Sequence, residues 1–177
     1  MAGDREKKAV PVFPLWKQML EPDLKIIWEG SWPIGEYFRL SYDLRLDYSM
    51  GVYQIVTRPL GRDPIFIGKT YRQSFRKRLP QHSREELATW IERNVSQPLF
   101  LKIGYIELLS WTKISTQIVD RTESLLIAAF DPPGNDAKTR TYSGGNLVIE
   151  NLGNRRPLSR WAWAVHLGSG NYEISTE

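Results

Sequence analysis

The order of apolar runs predicts an α+β domain: a few strands flanked by helices, preceded by an N-terminal arm and followed by a C-terminal β-hairpin. Three observations carry that expectation. The segment GVYQIVTRPLGRDPIFIGKTYRQSFRKRLPQH, residues 51–82, reads as a β-hairpin feeding a basic helix. The run LFLKIGYIELL, residues 99–109, alternates loosely and is rich in strand formers. Ile118, Val119, Leu125, Leu126, Ala129 and Phe130 make one stripe at helical spacing. A chain of 177 residues is one domain long, with a core of ordinary size. Its expected parts are an arm over 1–47, a core over 48–140 and a β extension packed on that core over 141–177.

In chain order, residues 1–8 are polar and read as a frayed end. Leu15, Met19, Leu24, Ile26, Ile27 and Trp28 are interrupted by Pro14 and Pro22, which predicts a short helix over 15–20 and then an extended piece. The stretch 31–47, with Trp32, Tyr37, Phe38 and Tyr42, is aromatic and weakly periodic, and suits packing on the core or a contact surface. Strands follow over 51–56 and 65–67, separated by turn residues Pro59, Gly61 and Pro64, and a basic helix over 71–79. Ser83 with Glu86 has the form of a capping box, predicting a helix over 84–94 with Leu87, Trp90 and Ile91 inward.

After the third strand, Ser115 or Thr116 can cap the striped helix, which Asp131, Pro132, Pro133 and Gly134 end. At 100° per residue Glu123 falls on the border of the stripe, between Val119 and Ile127. A carboxylate there costs free energy unless something compensates it. Over 159–167 Trp161, Trp163 and Val165 alternate with smaller or polar neighbours, and the glycines at 168–170 lead into a closing hairpin over 172–174.

Composition narrows the function classes. With no cysteine there are no disulfides, thiolate zinc sites or Cys nucleophile, which fits a reducing compartment. No stretch has the form of a signal peptide or a bilayer span, so the expected location is the cytoplasm and no membrane is expected as a partner. The formal net charge is +4, and Arg72, Arg76, Lys77, Arg78 and Arg84 crowd one segment. Such crowding is the footprint of a polyanion partner, with Arg72, Lys77 and Arg84 as candidate DNA contacts; its plainer use is a solvated helix face.

The glycine and aromatic order GVY, then FIG, then RKRL with His82 four residues after Arg78, then a helical Glu123 and an asparagine just beyond, resembles the GIY-YIG nuclease family over residues 51–135. The resemblance implies a small mixed three-stranded sheet flanked by helices and a metal-dependent DNA endonuclease. On that pattern Tyr53 is the tyrosine of the first motif, and Arg78 the arginine that meets the scissile phosphate, with Arg76 a competing assignment. His82 or Tyr53 positions or deprotonates the attacking water, Glu123 holds Mg²⁺ or Mn²⁺, and Lys69 and Asn135 support them. Phe66 is the departure, standing where the family ordinarily has its second tyrosine. The compact layout looks more like a restriction endonuclease, cutting double-stranded DNA at a site as a homodimer.

Phosphodiester hydrolysis needs these residue types: a placed water, neutralised phosphoryl charge and a stabilised leaving oxygen. The same residues have plainer uses, Tyr53 as a packed strand residue, His82 and Asn135 as turn residues. Two other readings stand beside the nuclease. One keeps the fold without catalysis, as a nucleic-acid-binding subunit of a larger defence or repair assembly. The other is a basic, aromatic-rich interaction domain, for which Glu123 would lie far from Tyr53.

Overall fold

The computed structural model describes residues 21–34, 47, 50–84, 86–109, 113–135, 141–156, 159–168 and 171–177, with the side chains of 82–84, 86, 87 and 168 excepted. The helix expected over 15–20 and the aromatics Tyr37, Phe38 and Tyr42 lie outside the described residues. Strand β1 is Leu24–Pro33, β2 Met50–Val56 and β3 Phe66–Tyr71. Helix α1, Phe75–Arg78, runs on as a 3-10 segment Leu79–Arg84; α2 is Glu86–Asn94, β4 Phe100–Leu108 and α3 Thr116–Phe130. Strands β5 Leu147–Leu152, β6 Trp161–Gly168 and β7 Asn171–Thr176 complete the order.

The described strands form one curled, mixed, seven-stranded sheet in the order β3-β2-β4-β1-β5-β6-β7. This corrects the expected fold class: the sheet is not a small three-stranded one flanked by helices, and strands dominate the molecule. The reason lies in β4, whose Leu101 to Gly104 are buried on both faces and which therefore needs a neighbour on each side. β2 supplies one and β1 the other, antiparallel from Leu24 opposite Leu108 to Pro33 opposite Phe100. The extended piece after Pro22 is thus a central strand. Its alternating Leu24, Ile26 and Trp28 are buried, and a bulge falls between Gly30 and Trp32, where the alternation is lost.

The free side of β1 then takes β5 in parallel, Leu24 opposite Ile149 through Ile27 opposite Leu152. No strand was expected over 147–152, because Glu150 and Asn151 interrupt the apolar run. Both are buried with partners: Asn151 Oδ1 accepts from Trp28 Nε1 at 2.8 Å, and Arg160 donates to Glu150 through Nε at 2.9 Å. β6 and β7 add on by antiparallel pairing, as the Trp alternation predicts.

Two local expectations also shift. Tyr71 closes β3 rather than opening a helix, and the basic helix is one turn long, capped by Ser74. Pro80 has no N–H to give, so the segment beyond Arg78 tightens to 3-10 geometry. α3 matches its expected bounds, with Ser115 as N-cap and Asp131 closing it in the left-handed region.

Adjacent strand residues point to opposite faces, so Val52 and Tyr53 divide the core in two. Val52, Ile67, Ile26, Trp28 and Ile106 pack under Val119, Leu125 and Leu126 of α3. Tyr53, Phe75, Leu101 and Ile103 form a smaller cluster on the other face. Among the described residues no helix is long and apolar enough to cross a membrane.

Candidate functional site

β3 is an outer strand of the sheet, and Gly68 stands at its middle. Gly68 faces Tyr53 across the ladder, and a Cβ there would come within 2.4 Å of the Tyr53 Cζ and Oη atoms. The phenol end of Tyr53 therefore lies over the outer strand, in space only glycine leaves. Its ring packs with Phe66 at 6.2 Å and edge-on with Phe75 at 6.2 Å. Gly51 does the same service for the helix: a Cβ there would lie 2.9 Å from Phe75 Cζ. Phe75 can thus seat α1 on the sheet, and Arg78 follows it by three residues, one helical turn.

A cleft of about 370 Å³ opens at this edge. Tyr53, Phe66 and Gly68 line it, with Lys69 and Tyr71 from the same outer strand, Gln73 and Arg78 from the helical segment, and Thr116, Asp120 and Glu123 from α3. Tyr53, Arg78 and Glu123 thus come from three distant stretches of chain to one cavity, joined there by Phe66 and Lys69. Lys69 is the electrostatic hub. Its Nζ donates to Glu123 Oε2 and lies 3.1 Å from Asp120 Oδ1.

Burial pulls the Lys69 ammonium toward its neutral form, but the hydrogen bonds and charges of Glu123 and Asp120 outweigh it, and its pKa is raised. Burial pushes the Glu123 carboxyl up, beyond what Lys69 returns, with Asp120 adding to the rise and Arg78 opposing it. The side chain of Glu123 is only 16% exposed, so the compensation its border position demanded comes chiefly from Lys69. The Thr116 hydrogen bond, helped by Arg72, holds the Tyr71 phenol below its usual range.

Among the described residues no group of three or more His, Asp or Glu converges. Glu123 and Asp120, one helical turn apart, are the carboxylates on the cleft. A hard divalent cation accepts a single carboxylate when water and phosphate fill its remaining positions, so this donor set fits Mg²⁺ or Mn²⁺ on Glu123. Lys69 competes for the same carboxylate.

The other residues singled out from sequence fall elsewhere. Arg76 is bound to Asp47, with Nε to Oδ1 at 2.9 Å, and does not line the cleft, whereas Arg78 does. Asn135 is buried: its Oδ1 accepts from Ile67 N at 2.9 Å and its Nδ2 donates to Ile67 O at 2.8 Å, pinning the outer strand beside the cleft. Arg72 has φ 61° and its guanidinium lies 5.5 Å from the Tyr71 ring centre, while Lys77 is exposed. His82 and Arg84 belong to the 3-10 segment, and their side chains lie outside the described residues.

Sequence reasoning missed Tyr71, Gln73, Thr116 and Asp120. Two of these carried a signal. Tyr71 is two residues after Lys69 and shares its face once the strand is extended, and Asp120 shares a helix face with Glu123. No family model, no curated protein and no solved structure matches this chain.

Proposed function

We propose that the chain is a phosphodiester hydrolase that cuts DNA with the help of Mg²⁺ or Mn²⁺ held by Glu123. The observation that carries this reading is the meeting of Tyr53, Arg78 and Glu123 in one cleft, the combination that the GIY-YIG resemblance requires of its own motif positions. Arg78 offers a planar fork of donors to the non-bridging phosphate oxygens. Lys69 balances the carboxylates while the cleft is empty and is free to turn toward phosphate when Glu123 takes a metal. The Tyr71 phenol, with its lowered pKa, joins Tyr53 and His82 as a group able to hold or accept the proton of the attacking water. The bound cation would supply charge for the phosphoryl oxygens and lower the pKa of a water. Phe66 gives the cleft an apolar wall in place of a second hydroxyl.

Incubation with supercoiled plasmid and Mg²⁺ or Mn²⁺ tests the reading, with linear or nicked product expected. DNA binding without cutting in any divalent metal would replace it with the nucleic-acid-binding subunit. A site-specific enzyme leaves fixed ends on sequencing. A homodimer would suit a twofold target.

A further inference from the structure

Away from the cleft, β2 and β4 bury a polar pair. Gln54 and Lys102 are register partners, 0% and 1% exposed, side by side on the face that carries α3. Each draws a loop over itself. Lys102 Nζ donates to the carbonyl of Gly61, and Gln54 Nε2 donates to the carbonyl of Arg155 at 3.2 Å. The loops bring Arg62 and Arg155 with them, and these two guanidinium charges act on Lys102. Among the described residues no carboxylate acts on it in return.

An ammonium buried beside two like charges and answered by one carbonyl is uncompensated. Burial, then Arg155 and Arg62, depress its pKa from 10.5 to about 8, which leaves most of the charge in place at neutral pH. Gln54 Oε1 is also buried without a donor, and Arg156, next in the chain, keeps a buried Nε without an acceptor. Buried polar atoms left open in this way call for an absent partner.

We infer that Lys102, Arg62 and Arg155 form a second ligand site, an oxyanion site that takes inorganic phosphate, an anion that keeps a free hydroxyl near neutral pH. The three cations supply donors to the unprotonated oxygens. The phosphate O–H, which a phosphodiester or sulfate lacks near neutral pH, donates to Gln54 Oε1. This site stands whether or not the β3-edge cleft is a nuclease.

The test is the thermal unfolding midpoint of the full chain titrated with inorganic phosphate, sulfate or a dialkyl phosphate at constant ionic strength. Phosphate should raise the midpoint by mass action, and the other two should do so much less. Arg62→Ala and Arg155→Ala should each weaken phosphate about tenfold, the worth of one charged hydrogen bond. Lys102→Met should abolish the response. In parallel, the Lys102 side-chain NMR signal should keep its charged form to higher pH with phosphate present. Equal midpoints in all three anions would overturn the assignment. So would a phosphate response that all three variants retain.

Discussion

Lys69 and Lys102 stand on the same face of one sheet, the first on its outer strand and the second two strands in, and the protein moves their pKa values in opposite directions. Burial acts on both in the same sense, favouring the neutral amine. Lys69 meets Glu123 and Asp120, which outweigh burial; Lys102 meets Arg155 and Arg62, which add to it. The facing charges, rather than burial, set the sign. The Lys69 cluster is balanced, and on the proposed reading a substrate and a cation would rearrange it; the Lys102 cluster is unbalanced, and an anion would complete it.

The largest expected effect comes from opening the balanced cluster. Glu123→Ala should lower metal-dependent plasmid cleavage by roughly 10³-fold or more, at the upper end for loss of an electrostatic group in an active site. DNA affinity in a gel-shift assay should change little. Arg78→Ala should cost roughly 10²-fold in cleavage and weaken binding as well, since it removes a phosphate contact.

The unbalanced cluster should reveal itself in stability against pH. Below pH 8 folded and unfolded chains both carry the Lys102 proton, and its burial cost is complete. Between about 8 and 10.5 only the unfolded chain carries it, so stability climbs with pH, by about 3 kcal/mol across the window. Above 10.5 the cost is gone. Urea unfolding at pH 7.5 and pH 10 measures the climb, and Lys102→Met should flatten it. Lys69 contributes the other way: its stabilisation is whole below the ordinary lysine pKa and disappears as pH rises through its raised value. An alkaline rise that survives in Lys102→Met would mean the contrast between the lysines has been misjudged.

Ile67, on the outer strand two residues before Lys69, stands opposite Gln54 in the ladder and is pinned by Asn135. Asn135→Ala leaves a buried N–H and C=O without partners and should cost about 2 kcal/mol in urea unfolding. The smallest effect belongs to Arg76→Ala. Its ion pair with Asp47 is solvent-exposed, so the unfolding midpoint should barely move and cleavage should hold. A cleavage loss from Arg76→Ala as large as that from Arg78→Ala would reverse the choice between the two arginines.

Much of the cleft was legible in the residues themselves. Glu123 was recognised by its border position on an apolar stripe, a local property of helical spacing, and the structure holds it nearly buried against Lys69. Gly51 and Gly68 stood out as motif letters, and each has a steric reason in the packing of Phe75 and Tyr53. Tyr71 was missed because the Arg-rich letters after it suggested a helix one turn too early. Asn135 was legible as a turn residue after the helix; that both ends of its amide meet Ile67 was not, because the contact joins segments far apart in the chain.

From the letters alone came the elements with a strong local period, the strands near 51–56 and 100–108, the helix 116–130 and the Trp strand, together with the border position of Glu123; Arg78 and Tyr53 were named by the family resemblance. The sheet's size, β1 at its centre and the burial of Lys102 followed only from tertiary pairing. Periodicity is written between neighbours a few residues apart, and it says which face of a strand is apolar. It cannot say which strand lies alongside, nor whether the charge opposite a lysine is a carboxylate or another cation. Those depend on long-range register, where one partner can reverse the sign of an electrostatic effect.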